Sequence, residues 1–301
     1  MNKVLAALAS AVSLVGATGA CGQDRPATAP AAEAVGVLKD PCAGLSPLPR
    51  EVSDYLAASA TARAAHQPEP ARSAAGLAAY SAWQDRRLTQ DFAGLCRYRQ
   101  QNAQAPRAGD HRVVFFGDSI TELWGATEPG LFTHDVVNRG ISGQTTAQMI
   151  GRFQADVLDL HPRVVHILAG TNDIAGNTGP TTLAWIEANI RSMVELAKAH
   201  HVRVVLASVL PAARFAWRPG IEPVESIAAL NAWLRAYAKA EQLTFVDYGG
   251  PLDDGRHGFK AELSPDGVHP NAAGYALMRP LAEAAIRRAL RQPSRAVRSQ
   301  G

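Results

Sequence analysis

Four short stretches hold the side chains best able to do chemistry. They are GDS (117–119), SGQTT (142–146), GTND (170–173) and SPDGVHP (264–270). Between them they supply a hydroxyl (Ser119), an imidazole (His269), a carboxylate three residues before it (Asp266), a carboxamide (Asn172) and a glycine (Gly143). A serine hydroxyl attacks a carbonyl only when a base removes its proton, and histidine, with an unperturbed pKa near 6.5, is the usual base. A carboxylate in the same turn can accept the ring Nδ1–H and leave Nε2 facing the serine. A carboxamide and a close backbone N–H can donate to the negative oxygen that develops. The set is what acyl transfer through serine needs. Each residue also has a plainer use: Ser119 as a helix cap, Asn172 and Asp173 as turn formers, His269 before Pro270 as a loop histidine.

The stretches are far apart in the chain, so the elements between them must bring them together. RVVFF (112–116), DVVN (135–138), RVVHIL (163–168), VRVVLAS (202–208) and LTFVD (243–247) are apolar runs of strand length. Amphipathic stretches at Thr146–Leu160, Thr182–His200, Ser226–Glu241 and Asn271–Arg291 alternate with them. That alternation predicts a parallel sheet covered by helices on both faces. The fold class is therefore α/β, a three-layer α/β/α sandwich on a five-stranded parallel sheet of flavodoxin-like type. Three of the stretches directly follow a strand and the fourth precedes the last helix, so all four gather at the carboxyl edge of such a sheet, where ligands bind. The run FFGDSITELWG lacks the glycine of GxSxG at position 121, which is Thr, so a nucleophile elbow is disfavoured.

GDS, the glycine of SGQT, GTND and DxxH, in that order across roughly residues 110–285, resemble the four sequence blocks of the SGNH (GDSL) hydrolases. The longer forms FFGDSITELW and NRGISGQTT are most similar to the branch containing platelet-activating-factor acetylhydrolase-type and related bacterial esterases. The resemblance implies Ser119 as nucleophile, His269 as general base and Asp266 as its orienter. It implies an oxyanion hole from the N–H groups of Ser119 and Gly143 and the side-chain amide of Asn172. Gln144 stands where many relatives carry Asp and is expected on the rim of the site; Gly140 reads as a turn residue. Asp118 and Thr171 are placed in the substrate pocket. So are Phe215 and Trp217, from the loop SVLPAARFAWRPGIEP, whose plainer use is to pack over the sheet edge.

The implied activity is hydrolysis of carboxylic esters, with short acyl chains expected because no apolar tunnel is legible. Lysophospholipase or thioesterase-type lipolysis, carbohydrate O-acetyl ester hydrolysis and acyl transfer are alternatives, and a surface lipoprotein that binds without turnover is the non-enzymatic one. The expected partner is a small ester. No cofactor is implied, and neither CxxC nor HExxH marks a metal site. A net charge of +3 without a long Lys/Arg run argues against nucleic acid.

The 301 residues divide further. Residues 1–21 read as an export signal: a positive start, a short apolar run at Val4–Val15, then small residues ending at Cys21. Gly19-Ala20-Cys21 is similar to a bacterial lipoprotein signal, although Thr18 replaces the usual aliphatic residue, so lipidation with membrane anchoring and simple cleavage both stay open. The expected location is periplasmic, outer-membrane-anchored or secreted. Residues 22–40, rich in Ala and Pro, read as a linker. Residues 41–109 read as a helical extension packed on the catalytic domain of 110–291, and 292–301 as a disordered tail. Leu77, Tyr80, Phe92, Leu95 and Tyr98 form the strongest helical stripe of the extension. Of the three cysteines, Cys42 and Cys96 are left as a pair that an oxidising compartment could join, or as two free thiols.

Overall fold

The computed structural model describes residues 36–292, apart from 65, 66, 68, 69, 72, 107, 110 and 134. Residues 1–35 and 293–301 lie outside the described residues, and with them the export signal, Cys21, most of the linker and the tail. The chain forms two units, Met1–Pro41 and Cys42–Gly301. In the first, the described residues, 36–41, make only bends and a turn.

The second unit is built on five parallel strands, β1 (Val113–Gly117), β2 (Val136–Gly140), β3 (Val164–Leu168), β4 (Arg203–Ala207) and β5 (Thr244–Val246), in the order β2-β1-β3-β4-β5. Pairing is in register from Val113 opposite Val136 and Val164 through Gly117 opposite Gly140 and Leu168. The carboxyl ends of β1, β2 and β3 are thereby level. Side chains alternate across each strand. Val114, Phe116, Val165 and Ile167 face one core; Val113, Phe115, Val164 and Leu168 face the other. Both faces are buried, which is why the strands read as unbroken apolar runs.

The first core is closed by α5 (Thr146–Asp156), α7 (Leu183–Ala199) and α8 (Val224–Ala240), through Met149, Phe153, Ile190, Met193 and Leu234. The second is closed by α4 (Ser119–Thr127), the short α9 (Gly249–Leu252) and α10 (Ala272–Arg291), through Ile120, Trp124, Leu252, Tyr275, Met278 and Ala282. Trp124 stacks on Tyr275 at 5.4 Å, and the Tyr275 hydroxyl donates to the Ile120 carbonyl at 2.7 Å. The last helix thus holds the start of α4 in place. Gly140 is the final residue of β2 and not a turn former. A Cβ there would lie 2.1 Å from the Glu122 nitrogen, so its lack of a side chain lets α4 settle directly on the strand end.

Ahead of the sheet lie α1 (Arg50–Ala64), α2 (Ala74–Gln90) and α3 (Arg99–Ala103). The helical stripe expected through Tyr98 is broken after Gln90. Asp91 turns its carboxylate onto the Leu95 and Cys96 N–H groups at 2.8 and 3.1 Å and pairs with Arg87 at 2.8 Å. That local bonding competes with the helix and wins. Beyond the break Phe92 and Leu95 are exposed and Tyr98 is buried; Leu77, near the start of α2, is exposed as well. Cys42 and Cys96 are joined by a disulfide, Cα to Cα 5.6 Å, closing a separation of 54 residues.

Candidate active site

The turn after β1 answers whether Ser119 is only a cap. Asp118 is the N-cap residue of α4, its Oδ1 accepting from the Ile120 N–H at 2.9 Å. Ser119 is the first helical residue and its hydroxyl is left for other work. The Oγ lies 2.8 Å from His269 Nε2, across 150 residues of sequence. His269 Nδ1 lies 2.7 Å from Asp266 Oδ2.

The loop 264–270 is shaped to hold this imidazole. Asp266 Oδ1 accepts from the Val268 and His269 N–H groups at 3.0 and 2.8 Å, and Gly267 takes a left-handed φ of 77° between them. Ser264 closes the turn, accepting from the Gly267 N–H and donating to the His269 carbonyl at 2.9 and 2.8 Å. Burial opposes ionisation of Asp266. The ring hydrogen bond and charge of His269, with the two backbone donors, outweigh it and hold the carboxyl well below the usual carboxylate range.

On the other side of Ser119 stands the loop after β2. Gly143 adopts φ 80°, a conformation that only glycine takes without strain. The N–H groups of Ser119 and Gly143 donate to no partner among the described residues. Asn172 is the second residue of the short helix α6 (Thr171–Ile174), which follows β3, and is buried. Its amide donates to Asp118 Oδ2 at 3.1 Å and to the Gln144 carbonyl at 3.0 Å, and its Oδ1 accepts from Asn177 at 2.8 Å. Both amide hydrogens are therefore directed at protein oxygens next to the serine. Burial pushes the Asp118 carboxyl up to about 6, against the downward pull of the Ile120 N–H and His269. Burial raises Asp173 to about 6 as well, despite the donors of Thr146.

Four residues expected in the pocket divide differently. Phe215 is fully buried in the core, because its ring packs at 5.0 Å beneath Trp217 and forms the floor on which that ring rests. Asp118 is buried as a cap, and Thr171 is buried with no hydrogen-bond partner for its hydroxyl among the described residues. Trp217 alone of the four presents surface: its ring is 39% exposed, 6.5 Å from that of His269. Gln144 is not on the rim either. It is buried, accepting from Arg152 Nε at 2.5 Å and donating to the Ala93 carbonyl at 2.8 Å.

Several residues that organise the site carry no motif. Asn177 ties the Gly143 carbonyl (3.2 Å), Asn172 and Trp217 (3.1 Å) together. Arg152, fully buried, donates to the carbonyls of Gly117 and Arg139 at 2.9 and 2.8 Å and pairs with Asp156 at 3.0 Å. Glu122, one turn beyond Ser119, accepts from the Ser142 N–H and hydroxyl at 2.8 and 2.6 Å. The nearest signal in the sequence is the Arg–Asp spacing of four on α5; the rest are ordinary polar residues whose partners are distant in sequence. Among the described residues, no group of three or more His, Cys, Asp or Glu side chains is placed to hold a metal ion, and no helix is long and apolar enough to cross a membrane.

Comparison with known proteins places this geometry. A GDSL-like lipase from Bacteroides thetaiotaomicron VPI-5482 is 45% identical, with a TM-score of 0.65, over 66% of this chain and 100% of that one. Esterase TesA of Pseudomonas aeruginosa is 29% identical over 47% of this chain and 64% of its own length. Uncharacterized lipoprotein YqeF of Bacillus subtilis is 36% identical over 26% of this chain and 33% of its own. The chain thus spans less than two thirds of the length of either curated relative. The model of the GDSL-like Lipase/Acylhydrolase family matches residues 115–277, from β1 into α10 and across GDS, SGQTT, GTND and SPDGVHP. The chain belongs to the GDSL-like lipase/acylhydrolase family.

Proposed function

We propose that the protein hydrolyses short-chain carboxylic esters through an acyl-enzyme on Ser119. The observation that carries this reading is the relay Ser119 Oγ–His269–Asp266, with contacts of 2.8 and 2.7 Å. Asp266, held ionised, accepts the Nδ1–H and fixes the tautomer with Nε2 toward Ser119. As Oγ attacks the ester carbon, His269 takes its proton and the carbonyl oxygen becomes negative. The N–H groups of Ser119 and Gly143 stabilise that oxygen. Asn172 joins them by turning the hydrogen of its longer bond, the 3.1 Å contact to Asp118, toward it. Collapse of the intermediate expels the alcohol, which takes the proton from His269. Water, deprotonated by His269, then attacks the acyl carbon, releases the carboxylic acid and restores Ser119.

A short acyl chain is supported by the local packing: Phe215 is buried beneath Trp217, which offers a flat half-exposed face beside His269. Such a face suits a sugar or aryl leaving group. Export is supported by the apolar amino terminus and by the oxidised Cys42–Cys96 pair. In this reading residues 41–109 form an extension to a catalytic domain of 110–291, and lipid on Cys21 would anchor both to a membrane.

The test is a fluorophosphonate label mapped to its residue, with a hydrolysis panel of p-nitrophenyl acetate to palmitate, acetylated xylan and lysophosphatidylcholine. Labelling at Ser119, with acetate and butyrate turned over fastest, is expected. Active protein labelled elsewhere would refute the nucleophile, and faster turnover of palmitate or lysophosphatidylcholine would refute the acyl preference.

A further inference from the structure

Within itself the loop that presents Gly143 has one long backbone bond, Gln144 N–H to the Ile141 carbonyl at 3.3 Å, and it is held from inside the family region by the Gly117 carbonyl on Ile141 N–H (3.1 Å) and by Glu122, Asn172 and Asn177. An oxyanion donor must nevertheless stay within tenths of an ångström of its position to be useful. We propose that the segment Asp91–Tyr98, which lies outside the matched family region, is the clamp that positions this loop for catalysis.

The segment grips the loop at successive points. The Tyr98 hydroxyl donates to the Gly140 carbonyl at 2.5 Å, ahead of Gly143. Arg97 pairs at 2.8 Å with Glu122, whose other oxygen holds Ser142. The Ala93 carbonyl accepts from Gln144 and the Phe92 carbonyl from Gln148, each at 2.8 Å, behind Gly143. From α2, Gln84 Nε2 lies 2.8 Å from where a Cβ on Gly143 would sit. Residues on both sides of Gly143 are thus bonded to a segment far away in sequence.

A clamp must itself be stiff, and this one is tied at two places: Asp91 caps the turn, and the Cys96 disulfide fixes it to Cys42. The preceding helix α2 is braced in turn by Trp83 Nε1 donating to the Ser46 carbonyl at 3.0 Å. Tyr98 is buried under the Arg139 guanidinium, 4.8 Å from its ring centroid. These are positioning residues acting through the loop, since none of them touches the reacting atoms. The inference rests on the reading of Gly143 as an oxyanion donor.

Tyr98→Phe removes one hydroxyl and keeps the ring. Arg97→Met removes a half-exposed side chain and leaves the core intact, so it keeps the test open if Tyr98→Phe does not fold. For each, kcat per fluorophosphonate-titrated site, KM for p-nitrophenyl acetate, Tm and the Ki of an aryl boronic acid are measured. The boronate forms a tetrahedral adduct that needs the same donors. Tyr98→Phe is expected to lose about 10-fold in kcat per titrated site with KM within about twofold, and boronate Ki should rise in proportion. Arg97→Met should lose about 3-fold in the same pattern. Variants that melt earlier but keep wild-type kcat per titrated site and boronate Ki would overturn the clamp alone. Wild-type protein that hydrolyses ester yet takes no label at Ser119 would overturn the reading beneath it.

Discussion

Replacing Asn172 with Ala separates two roles that the structure joins in one side chain. The amide makes three buried hydrogen bonds, to Asp118, to the Gln144 carbonyl and from Asn177, at 3.1, 3.0 and 2.8 Å. At about 1 kcal/mol net for each, their loss costs about 3 kcal/mol of stability. For a domain of this size that is a fall of about 6–12 °C in Tm. Loss of an oxyanion donor costs a further 10²–10³-fold in kcat, about 3–4 kcal/mol of transition-state stabilisation, with KM nearly unchanged. The two effects are read on one preparation, Tm by calorimetry and kcat per labelled serine with p-nitrophenyl acetate at a temperature where the variant is folded. A variant that melts early but keeps more than about a third of wild-type kcat would show that Asn172 only braces the turn, and the reasoning from geometry to oxyanion donor would fail.

Other outcomes follow from groups away from the nucleophile. His166 is buried against Phe115 and Tyr248, and burial holds its pKa down at about 3. Because the unfolded chain takes up that proton first, the group's contribution is present above about pH 6.5 and is lost as pH falls toward about 3. Between about pH 7.5 and about pH 4.5 the loss is on the order of 3 kcal/mol, and denaturant midpoints of His166→Gln should lack that part of the slope. The Cys42→Ser/Cys96→Ser double variant should lose about 4 kcal/mol in the chain-entropy model for a 54-residue closure, read by denaturant melts; a loss under about 1 kcal/mol would contradict it. Gly140→Ala puts a methyl 2.1 Å from the Glu122 nitrogen, and a backbone neighbour cannot swing away. About 3 kcal/mol of destabilisation is expected, and an unchanged Tm would refute the packing argument.

The sheet was legible because both its faces are buried: VVFF, VVHIL and RVVL admit no surface strand. The motif residues were legible because each follows a strand end, and parallel topology brings strand ends together. What escaped notice were side chains defined by partners rather than by neighbours. Nothing in the loop FAWRPG (215–220) marks a floor residue, and Phe215 looked like a pocket wall because sequence cannot tell which of two nearby aromatics lies beneath the other. Gln144 looked like a rim residue because its acceptor Ala93 and its buried donor Arg152 are 51 and 8 positions away. The break after Gln90 escaped because a single aspartate outcompeted a helical stripe.

That glutamine has a consequence for how this chain could diverge. An amide presents an acceptor and a donor at one end; a carboxylate presents only acceptors. Gln144 uses both, taking from Arg152 and giving to the Ala93 carbonyl, so it works as an adaptor between the sheet domain and the segment ahead of it. A carboxylate there would suit Arg152 but face the Ala93 oxygen with like polarity. The amide and the amino-terminal segment are therefore a matched pair, to be inherited or lost together, and a descendant shedding the segment would be free to carry an acid at position 144.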